Sequence, residues 1–417
     1  MVSTRKLAPL IAAAITVSVI VSSCSNMLSQ LSSTAVPAVV KSKPDTSVSA
    51  REPAPPLQSK DFHNEQPTLK ARQIQTLPSG RPDAAVPDER RDFGEALLLK
   101  MSGSNADYDK SVTSGHEAFK GHNESAYDLN GRKLTFSEWN ILSEQHSIKR
   151  LRLSRTNLTD ERFTHLNKLQ DLTELDLSKT KLTDKGISVL KSFPKLETLS
   201  LEGIYLSDSS AQVLSTLSNL RDLDISDTSI SDKGMSGLTK LTKLERLGAK
   251  QLNLSNSGCG AIAQMTQLKK LDLYRTDLNN KLAIFLPLTN LIDLRLHESS
   301  INDAALDTVA HFQFVRDLDL NGNQAIHDEG IRKLRGLKHL RWIGLGGTAV
   351  TSKTLDVIAN YSTLEDLGIR NTLVDDSNLI ALTALKNLKY LHLQGSRVTA
   401  KGRRELQMRM PHLEIIY

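Results

Sequence analysis

Leucines recur along the second half of the chain at two interleaved spacings. In Leu172-x-x-Leu175-x-Leu177 the last two alternate as on a strand, while Ile187, Leu190 and Phe193 follow at helical spacing. The same unit begins again at Ile148, Leu172, Leu196, Leu220, Leu244, Leu268, Leu291, Val315, Leu340, Leu364 and Leu388, and a last start at Leu413 leaves room for one strand. The steps are 23 to 25 residues, so the pattern predicts eleven units of strand, turn and short helix plus a terminal strand. One unit cannot bury its own apolar side. Neighbours must therefore stack, with parallel strands on one face and helices on the other, and each end of the array needs a cover. Twenty-four residues before Ile148 a degenerate unit, residues 124–147, offers one: Tyr127, Leu129 and Leu134 stand at the strand and turn positions, Phe136, Trp139 and Leu142 on a helix.

The polar positions inside the unit have structural roles. Thr156, Thr180, Thr228, Thr276, Ser299, Asn323, Thr348, Thr372 and Ser396 share one register, where a hydroxyl or amide can bond the turn backbone between coils; Ile204 and Leu252 interrupt it. Four positions later come Asp160, Asp184, Asp208, Asp232, Asn256, Asn280, Asp303, Asp328 and Asp376, expected as helix N-caps that accept backbone N–H groups. Cys259 falls in the register of Ile187, Ala211 and Met235 and points to the core.

The consensus L-x-x-L-x-L-x-x-T-x-L-T-D-x-G resembles the leucine-rich repeat family across residues 148–417, in its bacterial variant with threonine at the turn. The resemblance implies an α/β fold: a right-handed solenoid, a horseshoe with a concave parallel sheet and convex short helices. It also implies a binding scaffold rather than an enzyme. No nucleophile, base and orienter spacing, phosphate loop or Cys/His metal cluster stands in the sequence, and no cofactor or metal is implied.

The region before the repeats has a different character. Arg5 and Lys6 precede an apolar run over residues 7–21, the pattern of a secretory leader. About fifteen residues of helix fall short of the ~30 Å hydrocarbon core, which disfavours a stable membrane span. Val21-Ser22-Ser23-Cys24 resembles the lipobox of bacterial lipoproteins, which implies acylation of Cys24 after cleavage behind residue 23. Ser25 is not the aspartate that favours inner-membrane retention in Gram-negative lipoproteins, so the expected place is the cell envelope, at the outer membrane where the cell has one. With Cys24 acylated, Cys259 has no disulfide partner, and stability rests on burial. Residues 24–90 carry nine prolines among serine, alanine, lysine and glutamine, and no apolar period. They are expected to be a disordered tether. Residues 91–123 hold one stretch, FGEALLLKM, compatible with a short helix.

The formal charge of +6 comes from interleaved acids and bases with no basic block, which argues against nucleic acid as a partner. On the strands, outward positions gather acids at Glu174, Asp176, Asp222, Asp224, Asp272, Asp293, Asp317 and Asp319, with Arg246, Lys270 and Arg295 among them. Three readings fit: a solvated face with local ion pairs, a docking surface for a cationic partner, or a calcium site among Asp293, His297, Asp317 and Asp319. The last three repeats differ. Trp342 and Tyr390 flank Gly344, Gly346 and Gly368, with Asp366, Arg370, His392 and Gln394 nearby. Tryptophan, tyrosine and arginine dominate binding hot spots. The blander alternative is that Trp342 folds across the glycines. The expected ligand-binding residues are Trp342, Arg370, Tyr390, His392, Asp317 and Asp319. The expected function is an envelope-anchored scaffold binding a protein or peptide on its concave face. A carbohydrate or cell-wall binder, with Trp342 and Tyr390 as stacking platforms, is the alternative, and a host-directed effector a more remote one.

Overall fold

The computed structural model describes residues 125–417; the leader, Cys24, the tether and residues 91–123 lie outside the described residues. Thirteen strands of three residues form one parallel sheet in simple sequential order, each paired to the next. They are β1 (Ala126–Asp128), β2 (Arg150–Arg152), β3 (Glu174–Asp176), β4 (Thr198–Ser200), β5 (Asp222–Asp224), β6 (Arg246–Gly248), β7 (Lys270–Asp272), β8 (Asp293–Arg295), β9 (Asp317–Asp319), β10 (Trp342–Gly344), β11 (Asp366–Gly368), β12 (Tyr390–His392) and β13 (Glu414–Ile416). The middle residue of each strand from β2 to β12 is a leucine or isoleucine with almost no exposed surface, and these stack into one continuous core. Each return to the next strand carries short α or 3-10 helices such as Asp232–Leu238.

The first described coil carries β1, which pairs with β2. Its helix Phe136–Ser143 opens with a capping box, Thr135 N–H donating to Glu138 Oε2 (2.7 Å) and Glu138 N–H to Thr135 Oγ1 (3.3 Å). Tyr127, Leu129, Leu134, Trp139 and Leu142 are buried, while Phe136, the first residue of the helix, is 75% exposed.

The aspartates at the helix starts do something other than expected. The N-cap is the hydroxyl residue one position earlier: Thr159, Thr183, Ser207, Ser231 and Ser255 all stand there in extended conformation. Asp160, Asp184, Asp208, Asp232, Asp303 and Asp328 are first helical residues, Asp376 stands ahead of the 3-10 helix Leu379–Ala384, and each carboxylate reaches forward to the N-cap position of the following coil. Asp160 accepts from Thr183 N–H (2.9 Å) and Oγ1 (2.6 Å), Asp208 from Ser231 N–H (2.8 Å) and Oγ (2.7 Å), Asp376 from Thr399 N–H (2.7 Å) and Oγ1 (2.5 Å). Asp184, Asp232, Asp303 and Asp328 repeat the pattern. These residues are staples between coils.

The glycine of the motif follows from the staple. A Cβ at Gly234 would lie 2.4 Å from Asp208 Oδ1, and one at Gly186 2.3 Å from Asp160 Oδ1. Where the sequence puts a hydroxyl instead, that group donates to the same oxygen: Ser210 to Asp184 and Thr354 to Asp328, both at 2.5 Å. The ladder has a gap. Asn256 and Asn280 make no such forward bond, and there Lys281 reaches back to the Leu254 carbonyl (3.1 Å).

The turn register also differs in part. Thr156, Thr180, Thr228, Thr348 and Thr372 donate to the carbonyl three residues back in their own coil, while Thr276, Ser299 and Asn323 bond the preceding coil. Just before each of these positions the backbone enters the left-handed region, for instance at Arg155 (φ 57°), Gln251 (φ 57°) and Arg275 (φ 52°). The conformation is costly for a residue with a Cβ. It is held because the same residue's N–H donates to the next coil, as Arg155 does to Ser178 O (2.9 Å) and Gln251 to Tyr274 O (2.8 Å).

Candidate recognition face

Side chains at the first and third strand residues point to the concave side, and the register aligns them in rows. The second row holds Asp128, Asp176, Asp224, Asp272 and Asp319, each accepting from the backbone N–H two residues on, at 2.9 to 3.2 Å. These acids turn the chain out of the strand. Asp224 and Asp272 are also almost fully buried, at 3% and 2% exposure. Burial pushes the Asp272 carboxyl up to about 7, against the pull of Lys250 and Arg295. It raises Asp319 as well, opposed by His297. Arg295, itself buried, is held charged by Asp293, Asp272 and Asp319.

Beyond the strand ends the left-handed turns form a rim, and between rim and sheet lies a groove of about 760 Å³ running from Glu202 to Asn371. At its centre Tyr274 meets His297 edge-on (centroids 4.9 Å), and the Arg275 guanidinium stands 5.0 Å over the Tyr274 ring while pairing with Glu298. Lys250, 4% exposed, lies 3.9 Å from Glu202. His297 approaches Asp319 at 3.9 Å. Gln251, Asn321 and Asn371 add amides along the groove.

Of the residues expected to bind, Asp319 and Arg370 line this groove. Trp342, Asp317 and Tyr390 lie in the first outward row, in register with one another through Asp366, and His392 lies beside them with Nε2 3.1 Å from Asp366 Oδ1. Tyr390 is 42% exposed and Trp342 half-buried. The glycine floor is not bare. The Asn321 carboxamide sits on it, accepting from Gly346 N–H (2.6 Å), and a Cβ at Gly344 would meet Asn321 Nδ2 at 2.5 Å. Over Gly368 a Cβ would touch only backbone, Gly344 Cα at 3.6 Å and Ile343 O at 3.8 Å.

The calcium arrangement does not form. Asp293 is taken by Arg295 (3.3 Å) and Lys270 (3.6 Å), and among the described residues no group of three or more His, Cys, Asp or Glu could hold a metal ion. Cys259 is fully buried, and burial pushes its thiol up.

The sequence reading passed over Tyr274, Lys250 and Asn321. A signal existed: the position two past each strand reads Glu202, Ser226, Lys250, Tyr274, His297, Asn321, the most varied polar column of the array.

A family model described as Leucine Rich repeat matches residues 168–191, 216–238 and 313–334. Those residues carry leucine-rich repeats. The thirteen-stranded parallel sheet with short helices is the solenoid of that fold. A crystal structure of an internalin, InlF, from Listeria monocytogenes is similar to this repeat protein at 20% identity, covering 77% of this chain and 92% of the internalin, with a TM-score of 0.51. A leucine-rich repeat protein of Leptospira interrogans is similar at 19% identity, over 70% of this chain and 90% of that one, with a TM-score of 0.46. The first likeness bears on the fold alone. Among curated proteins none matches the sequence.

Proposed function

We propose that the protein is a lipid-anchored scaffold of the cell envelope that binds a protein or peptide along its concave face. The groove carries this reading. It gathers side chains from successive coils, Glu202 to Asn371, into one surface of charges, amides and an aromatic cluster, which suits the peptide groups and side chains of an extended partner. Repeat arrays present such concave surfaces because every coil adds one strand's worth of contacts. Anchoring rests on Cys24 and the leader before it, which would hold the repeats at the outer membrane where the cell has one.

Two experiments test the two halves. A photo-crosslinking amino acid placed at Gln251 or Asn371 in living cells should trap one defined protein, while the same group at Gln212, exposed on the convex helix Asp208–Leu214, should trap none. Equal adducts from both faces would overturn the concave assignment. Cys24→Ser should abolish incorporation of labelled palmitate and move the protein out of the detergent phase; an unchanged acyl label would remove the anchor.

A further inference from the structure

We infer that the carboxy-terminal part of the concave face takes basic side chains of the partner, arginine above all, between Trp342 and Tyr390. This rests on the concave-face reading above and adds the chemistry of the bound segment.

Along the first outward row the register runs Asp317, Trp342, Asp366, Tyr390, Glu414 on β9 to β13. Carboxylate and aromatic alternate over five neighbouring strands. Strands in a sheet lie ~4.8 Å apart, so the backbone attachment points of Trp342 and Tyr390 are ~9.6 Å apart with Asp366 between them. A planar cation midway would sit ~4.8 Å from either ring, inside the ~6 Å at which a ring face attracts a cation. Asp366 supplies the counter-charge beneath it. Guanidinium fits better than ammonium, because it is flat, stacks on aromatic faces and is the more weakly hydrated.

The same row behaves differently in the middle of the array, on β5 to β8. There the strands bring their own bases: Arg246 pairs with Asp222 (2.7 Å) and Lys270 lies 3.6 Å from Asp293. At the carboxy-terminal end the nearby bases are held elsewhere, Arg341 and Lys389 both on Glu365 at 2.8 and 2.7 Å. Asp317 and Glu414 enter no ion pair among the described residues. Asp366 meets only His392, through one carboxylate oxygen. An uncharged sugar or apolar group could stack on the rings but would leave Asp317 and Glu414 without a counter-charge. A basic segment crossing the strands satisfies rings and acids together.

A random peptide library displayed against the full chain tests this. The expected outcome is enrichment of peptides with arginine, binding weakened at least tenfold by replacing that arginine with its neutral isostere citrulline, and weakened at least tenfold by Trp342→Ala or by Asp366→Asn. Tyr390→Phe keeps the ring and should bind as the parent does. Thermal melts of each variant separate lost affinity from lost fold, and Asp317→Asn, on a half-exposed side chain, provides a second variant that leaves the core untouched. Selected peptides that tolerate citrulline and the Trp342 and Asp366 changes, yet lose affinity with Tyr274→Ala, would overturn the inference and keep the concave reading. Peptides insensitive to every concave substitution would overturn both.

Discussion

Two sets of aspartates recur along the described coils, one at most helix starts and one at alternate strand ends from β1 to β9, and Asp184 in the first and Asp272 in the second behave in opposite ways. On the convex side, at the helix starts, burial of Asp184 is outweighed by hydrogen bonds from Ser207 and Ser210, and its carboxyl falls to about 2. On the concave side Asp272 accepts one backbone hydrogen bond, is sealed from water, and rises to about 7. The residue type is the same. What differs is how many donors the fold supplies per unit of lost hydration. Asp184 therefore adds stability as a charged staple, and Asp272 carries charge at a cost.

Removing a staple is the strongest way to test this contrast. Asp184→Ala leaves the Ser207 N–H and two hydroxyls without their charged acceptor and should lower unfolding free energy by about 2 kcal/mol in urea titrations. A loss within error would mean that water takes over the acceptor role. The pH dependence follows next. For a carboxyl whose folded pKa is depressed, as at Asp184, the stabilisation is present above about 4 and is lost as pH falls towards 2. For one whose folded pKa is raised, as at Asp272, the cost is absent below about 4 and grows until pH passes 7. Stability should peak between these windows, and Asp272→Asn should flatten the fall between pH 5 and 8 by about 1 kcal/mol, read from melts at a series of pH values. If the variant keeps the parent's slope, another group titrates there. The smallest effect belongs to Ser210→Ala, which deletes one of three donors to Asp184 and should cost about 0.5–1 kcal/mol.

The solenoid was legible from the sequence because its signal is repeated eleven times, and errors in one coil are corrected by its neighbours. Roles inside the coil were less so. Threonine and aspartate are both good N-caps, and sequence order does not say whether a carboxylate bonds its own helix or the next coil. The glycine two residues after Asp184, Asp232 and Asp328 was the clue, since it is the absence of a Cβ that admits the carboxylate arriving from the preceding coil. In the candidate site, Trp342, Asp366 and Tyr390 fell in one row because strand alternation is a reliable rule. Tyr274, Lys250 and the rim lay just past the strand, where the left-handed turn breaks that alternation. That Asn321 would cover Gly344 and Gly346 depended on a contact between coils that no single repeat encodes.

The gap in the staple ladder gives the array a crease. From Asp160 to Ser255, and again from Asp303 to Thr399, coil is fastened to coil by the staple on the convex side; between them, where the helix shrinks to the single 3-10 turn Leu282–Phe285, the staple is missing and other bonds such as those of Lys281 and Asn290 join the sheet and the leucine stack in carrying the connection. Pulled from its ends, such a chain should unravel in two steps and not one. The crease lies behind Tyr274 and His297, at the middle of the groove, so that a bend there would change the width of its mouth.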